Sequence, residues 1–186
     1  LNNSNGLLSG NTALTIDSAG LNNTGGQILG NGAIDLELHQ STLDNITGLI
    51  DTTGSITLNN ANALQNTDGI LRAGADLTLY LPAFNRMQNG GTYTAGGLLG
   101  IHTTGDMVFG ATGSDFKTPG GLLLDAGTGN IRIDSRIETG GDSRLTGVDI
   151  DLGDDGFFAT QGALTVQADT LNNWGVLYGR DALTLT

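Results

Sequence analysis

Four carboxylates stand close together at Asp149, Asp151, Asp154 and Asp155, and oxygen ligands of this kind are what a Ca²⁺ ion takes. Their spacing matches neither the EF-hand loop nor the G-G-x-G-x-D repeat of calcium-binding β-rolls. Asp149 and Asp151 also alternate with Ile150 and Leu152, as outward residues of a strand do. Calcium stays open on these residues, no metal ligand is assigned, and no cofactor is implied. The two histidines, His39 and His102, lie far apart in the chain, and neither has a nucleophile motif such as G-x-S-x-G nearby. A polysaccharide lyase or glycosidase needs a base or a carboxylate pair set in a groove. Carboxylates are plentiful here, but nothing in their order singles out two, so no catalytic residue is assigned.

The remaining candidate is a binding feature. After Leu77-Thr78-Leu79-Tyr80-Leu81 comes Pro82-Ala83-Phe84-Asn85-Arg86. Proline cannot donate to a sheet ladder, so a strand should end at Pro82 and the insert is expected to loop out. Tyr and Arg are enriched at binding hot spots, which makes Tyr80, Phe84 and Arg86 a candidate partner-binding loop. The other reading folds Phe84 back over apolar surface.

These residues are set in a repeat. Leu1-Asn2-Asn3-Ser4-Asn5-Gly6-Leu7-Leu8 leads to Ala13-Leu14-Thr15-Ile16, and similar units start at residues 21, 43, 64 and 87, which is 20, 22, 21 and 23 residues apart. Leu171-Asn172-Asn173-Trp174-Gly175 and Leu183-Thr184-Leu185 close the series. A period near 21 residues is the mark of a solenoid. Within each unit L-x-I alternates with period two between Gly, Asn, Asp and Thr, which predicts short strands rather than helix.

One unit per coil, with equivalent strands paired in parallel, makes an all-β parallel β-helix of about 21-residue coils. Nine coils would form a rod roughly 40 Å long. The expected core pairs are Leu14 and Ile16, Ile34 and Leu36, Ile56 and Leu58, Leu77 and Leu79, Leu99 and Ile101, and Leu183 and Leu185. Thr15, Asp35, Thr57, Thr78 and Thr184 alternate with them and should face solvent. The third residue of each unit is Asn: Asn3, Asn23, Asn45, Asn66, Asn89 and Asn173. Asn tolerates left-handed backbone angles, and stacked amides can bond one another along the rod, so these six are read as a structural ladder.

Composition narrows the function. Gly fills 31 of 186 positions, and 19 acidic against 7 basic residues give a net charge of -12. A nucleic-acid or other polyanion partner would be repelled. The regular alternation argues against disorder despite the low aromatic content. There is no Cys and hence no disulfide framework. No stretch reaches the roughly 18 apolar residues of a membrane helix, so membrane insertion is not expected. The chain opens on a repeat, and is expected to be an internal piece whose export signal lies outside it.

The pattern L-N-N-x-x-G-x-I followed by L-x-L, in a Gly- and Asn-rich acidic chain without Cys, resembles the haemagglutinin repeats of the filamentous haemagglutinin family. That family comprises bacterial exoproteins of two-partner secretion and includes contact-dependent growth-inhibition proteins. The match covers residues 1–101 and 171–186, and 102–170 in style only. It implies a right-handed β-helix, a secreted or cell-surface location, and an outer-membrane two-partner secretion transporter serving the full-length protein. It also implies adhesion to a protein or glycan receptor on host or bacterial cells. It brings no catalytic residues.

The expected organisation is one segment over 1–186. Regular repeats fill 1–81, irregular coils with loop excursions fill 82–170, notably Gly110 to Gly120, and the regular repeat resumes over 171–186. Arg132, Asp134, Arg136 and Glu138 read as a solvated face of alternating charge. The leading function is a non-enzymatic, monomeric shaft with a cell-binding surface on 82–170. The alternatives are a β-helical polysaccharide-processing enzyme and a pure spacer without ligand.

Overall fold

The computed structural model describes residues 1–86, 89–110 and 116–186, with the side chains of the last stretch from 118 onward. Among them are strands and turns and no helix. Each coil turns three corners, because Gly, Asn and Asp interrupt every alternating run after a few residues.

One face is a parallel stack of nine strands in chain order. It runs from Leu14–Asp17 through Ile34–Asp44, Ile56–Gln65, Leu77–Leu81, Leu99–Thr103, Leu122–Asp125, Ser143–Thr146 and Ala163–Gln167 to Ala182–Leu185. Eight steps separate nine strands, and at about 4.8 Å each they span about 38 Å. A second face carries Phe84–Asn85, Met107–Phe109, Ile131–Ile133, Asp149–Leu152 and Thr170–Asn173. In the early coils its place is taken by Leu21–Asn22 and the far ends of Ile34–Asp44 and Ile56–Gln65. The third face stacks Leu7–Gly10, Gln27–Gly30, Leu49–Thr52, Ile70–Ala73 and Thr92–Ala95, and a further sheet stacks Phe116–Thr118, Arg136–Thr139, Phe157–Thr160 and Val176–Gly179.

Register follows the apolar alternation. Leu14, Ile34, Ile56, Leu77, Leu99, Leu122, Ser143, Leu164 and Leu183 form one inner column. Ile16, Leu36, Leu58, Leu79, Ile101, Leu124, Leu145, Val166 and Leu185 form the next. Most are wholly buried. Ser143 is tolerated among leucines because its hydroxyl bonds the Leu122 amide at 3.1 Å and the Thr139 hydroxyl at 2.8 Å. Leu183 and Leu185 depart from the expected core, at 45% and 54% exposed. They belong to the last strand of the stack, which has a neighbour on one side only.

The irregular region keeps coiling. Leu77–Leu81 ends ahead of Pro82, as proline requires. The following insert does not loop out, however, because Phe84–Asn85 is itself a strand paired with Met107 and Val108. Of the Gly110 to Gly120 stretch, Phe116–Thr118 is a strand beside Ile137–Thr139, and residues 111–115 lie outside the described residues. So do Met87 and Gln88, where the fifth sequence copy begins.

Candidate functional site

The Asn residues meet inside one corner. Asn3, Asn23, Asn45 and Asn66 are buried, the last three completely. Asn3 Nδ2 donates to Asn23 Oδ1, Asn23 Nδ2 to Asn45 Oδ1 and Asn45 Nδ2 to Asn66 Oδ1, each at 2.7 Å. The Nδ2 groups of Asn3, Asn23 and Asn45 also reach carbonyls of the neighbouring turns, at Gln27, Leu49 and Ile70. An amide suits this position because it donates upward and accepts from below without charge.

Turn chemistry explains the Gly three places on. Gly6, Gly26, Gly48 and Gly69 each donate their N–H to the carbonyl of the ladder Asn that opens the turn, at 2.9–3.1 Å. A methyl at Gly26, Gly48 or Gly69 would collide with the Asn carbonyl oxygen of the preceding coil. The left-handed residues are Asn5, Gly25, Thr47 and Asp68, at φ of 52–62°. Left-handed tolerance is therefore not the reason for Asn at the ladder positions, since none of the four has a positive φ.

Above Asn66 the column changes character. Arg86 N donates to the Val108 carbonyl at 2.8 Å, the same bond that Asn23 and Asn45 make to the next coil. Arg86, not Asn89, is thus the structural successor of Asn66, and Phe109, Ile133 and Leu152 continue the column. The Arg86 guanidinium donates from Nη1 to the Asn89 carbonyl at 3.0 Å and from Nη2 to the Gly91 carbonyl at 2.7 Å. It also lies 5.3 Å from the Tyr93 ring centroid, a cation–π contact. The Tyr93 hydroxyl donates to the same Asn89 carbonyl at 2.8 Å. Burial pushes the Tyr93 phenol well above its ordinary range and depresses the Arg86 guanidinium.

This revises the expected binding loop. Phe84 is 1% and Arg86 6% exposed. Phe84 packs edge-on against Tyr93 at 5.9 Å and beside Phe109 at 5.6 Å, inside the core rather than over its surface. A core ring and a buried guanidinium whose two Nη atoms donate to inward carbonyls are unavailable to a partner. The ladder too is shorter than the six expected residues. Asn89 contributes its backbone carbonyl, and Asn173 is exposed beside Leu152 in the last coil.

Tyr80 alone of the three is on the surface, at 44% exposed. It stacks on His102 of the next coil at 4.8 Å and 19°, because the two are register partners on the outer side of the nine-strand face. The His102 Nδ1 lies 3.6 Å from Asp125 Oδ2. Next to this pair is a groove of about 520 Å³, also lined by Gln40, Asn60, Asn62 and Thr104. It forms because the corner is longer in these coils. Leu36 and Leu43 are seven residues apart and Leu58 and Leu64 six, against five for Ile16 and Leu21. The extra residues are placed by left-handed backbone at His39, Gln40 and Asn60, at φ of 50–64°. That stretch of paired strand has its register shifts between Glu37 and Thr42. The uneven spacing was the only sign of this corner in the sequence.

The other candidates separate. His39 Nε2 meets Asp17 Oδ1 at 2.5 Å on the surface, and the bonded carboxylate raises the imidazole above its ordinary value of 6.5. His39 and His102 do not share a site, being on different coils of the same corner. Asp149 and Asp151 lie on a strand, whereas Asp154 and Asp155 form the turn closed by Gly156 N to Gly153 O at 2.8 Å. Among the described residues no three His, Cys, Asp or Glu side chains are grouped to hold a metal. Arg132 pairs with Asp134 and Arg136 with Glu138, both at 2.6 Å and with the arginine side exposed, so these pairs add little stability.

Compared with known proteins, the chain matches no family model, no curated protein and no solved structure.

Proposed function

We propose that this chain is a non-enzymatic shaft segment of a secreted bacterial surface filament, of the filamentous haemagglutinin kind, that carries binding surface on its outer corner. The observation supporting this is the unbroken parallel pairing of nine strands over a stacked apolar core. Each coil contacts its two neighbours, so length and rigidity come from repetition. The Asn ladder favours the same reading, since it ties four successive coils through their interior and leaves the outer face to vary. The net charge of -12 suits a solvated surface structure.

Excision of residues 44–64 removes one coil and joins Leu43 to Gln65 in register. A shaft is expected to survive this, keep its strand-rich circular dichroism and shorten by about 4.8 Å in small-angle scattering. A chain that unfolds on this excision is not a modular shaft. Release of reducing sugar or unsaturated uronate from a polysaccharide panel would replace the non-enzymatic reading with the carbohydrate-processing one.

A further inference from the structure

The corner groove beside Tyr80 brings side-chain amides together with an exposed aromatic ring. Its lining, among the described residues, combines the amides of Gln40, Asn60 and Asn62 with apolar Ala61, Leu81 and Pro82, and has Tyr80 and His102 on it, while the Thr103 and Thr104 hydroxyls beside them donate to the Gly105 and Pro82 carbonyls. It contains no Asp, Glu, Lys or Arg, in a chain with 19 acidic residues. Two carboxylates touch lining residues, and both are engaged. Glu37 accepts from Asn60 Nδ2 at 2.8 Å, and Asp125 faces His102.

We propose that this groove binds a neutral oligosaccharide. A sugar ring offers an apolar C–H face and a rim of hydroxyls, each both donor and acceptor. Amides answer the hydroxyls, because each can donate and accept. Asn60, having donated to Glu37, presents its Oδ1, while Gln40 and Asn62 are exposed with both functions in the side chain. Tyr80 supplies a flat ring with a hydroxyl at its tip. His102 stacks on one face of that ring from the following coil, holding it in place, and the ring stays 44% exposed.

Charge decides the class of ligand. An acidic sugar would enter between Glu37 and Asp125 on a surface already at -12 and be repelled. A cation would find no carboxylate in the lining itself. The groove, of about 520 Å³, is open at the surface, so a longer chain can lie along it.

Backbone strain points to the same place. Left-handed backbone angles, which side-chain-bearing residues adopt rarely, occur here at His39, Gln40 and Asn60. Unlike the left-handed residues of the Asn turns, these do not serve the four-coil amide ladder. Together they set out the shelf from which Gln40 and Asn60 line the groove, as strain retained at binding sites does.

The assignment rests on the shaft reading, in which the rod displays ligands on its outer corner. The test uses the full chain, ¹⁵N-labelled, titrated with hexasaccharides of cellulose, chitin, mannan, starch and galactan, and with heparin and oligogalacturonate hexasaccharides as charged counterparts. At least one neutral hexasaccharide should shift amides of residues 60–62, 80–81 and 102–104 saturably. Tyr80→Ala should weaken that binding by at least about tenfold while thermal unfolding stays close to that of the parent chain. Binding by charged sugars alone, shifts confined to another face, unchanged affinity in Tyr80→Ala, or no neutral binding up to about 10 mM would each overturn it. Assaying the bound sugar for cleavage separates the two readings, since binding with turnover retains the groove and removes the non-enzymatic shaft.

Discussion

Asn45 shows how one side chain serves two coils. It accepts from Asn23 and donates to Asn66, both at 2.7 Å, with no solvent contact. Asn45→Ala leaves a buried donor and a buried acceptor short of a partner and is expected to cost about 2–3 kcal/mol in urea unfolding. Asn45→Asp should cost more, because a carboxylate oxygen would face Asn66 Oδ1. His39 is the opposite case, an exposed residue whose pairing with Asp17 is legible by titration. Its ¹H NMR midpoint is expected above 6.5 and to fall back in Asp17→Asn. A raised folded value means that the native state holds the proton more tightly. The small stabilisation is therefore complete below the unfolded pKa and is lost as pH rises through the folded one. Arg86 shows why residue type misled at this scale. Its type reads as a hot-spot residue, yet its two Nη atoms meet the carbonyls of Asn89 and Gly91 inside the rod.

At the scale of the element, the turn after each ladder Asn depends on close stacking. Gly48 sits where a Cβ would run into the Asn23 carbonyl of the coil before. Gly48→Ala is expected to destabilise by about 3 kcal/mol in chemical denaturation, since backbone has to move. Gly90 is the control, because its Cβ would meet nothing closer than 4.0 Å. Gly90→Ala should be neutral or stabilise by up to about 1 kcal/mol through the unfolded chain. If both substitutions cost the same, steric stacking is not what selects glycine in the L-N-N-x-x-G pattern. Strand pairing was readable because alternation is local: each L-x-I run states which residues face inward. The Tyr80 corner was not, since its shape comes from seven-, six- and five-residue corners lying one above another.

The whole molecule behaves as a stack. Two interiors are joined end to end at one corner, an amide ladder through Asn66 and an apolar column of Phe109, Ile133 and Leu152, with Arg86 and Tyr93 between them. A rod whose coils touch only their neighbours should lose coils without losing fold, which the 44–64 excision measures. The same architecture explains the exposed apolar residues of the last coil, Trp174 at 66% and Leu185 at 54%. Leu185 is in the inner column of a strand that has a neighbour on one side only.

By itself the sequence determined the solenoid: the period near 21, the parallel β-coil, the inward columns from Leu14 to Ile101, and the Asn ladder from Asn3 to Asn66. All of these repeat, so each copy testifies to the same local geometry. What only the tertiary structure decided is where the repeat breaks. Arg86 replaces Asn89 in the column, Phe84 enters the core, Asn173 stands outside the ladder, and Tyr80 meets His102 and the Asn60 shelf. Those outcomes depend on which residues of unequal coils come to lie 4.8 Å apart across the stack, a distance that spacing along the chain does not contain.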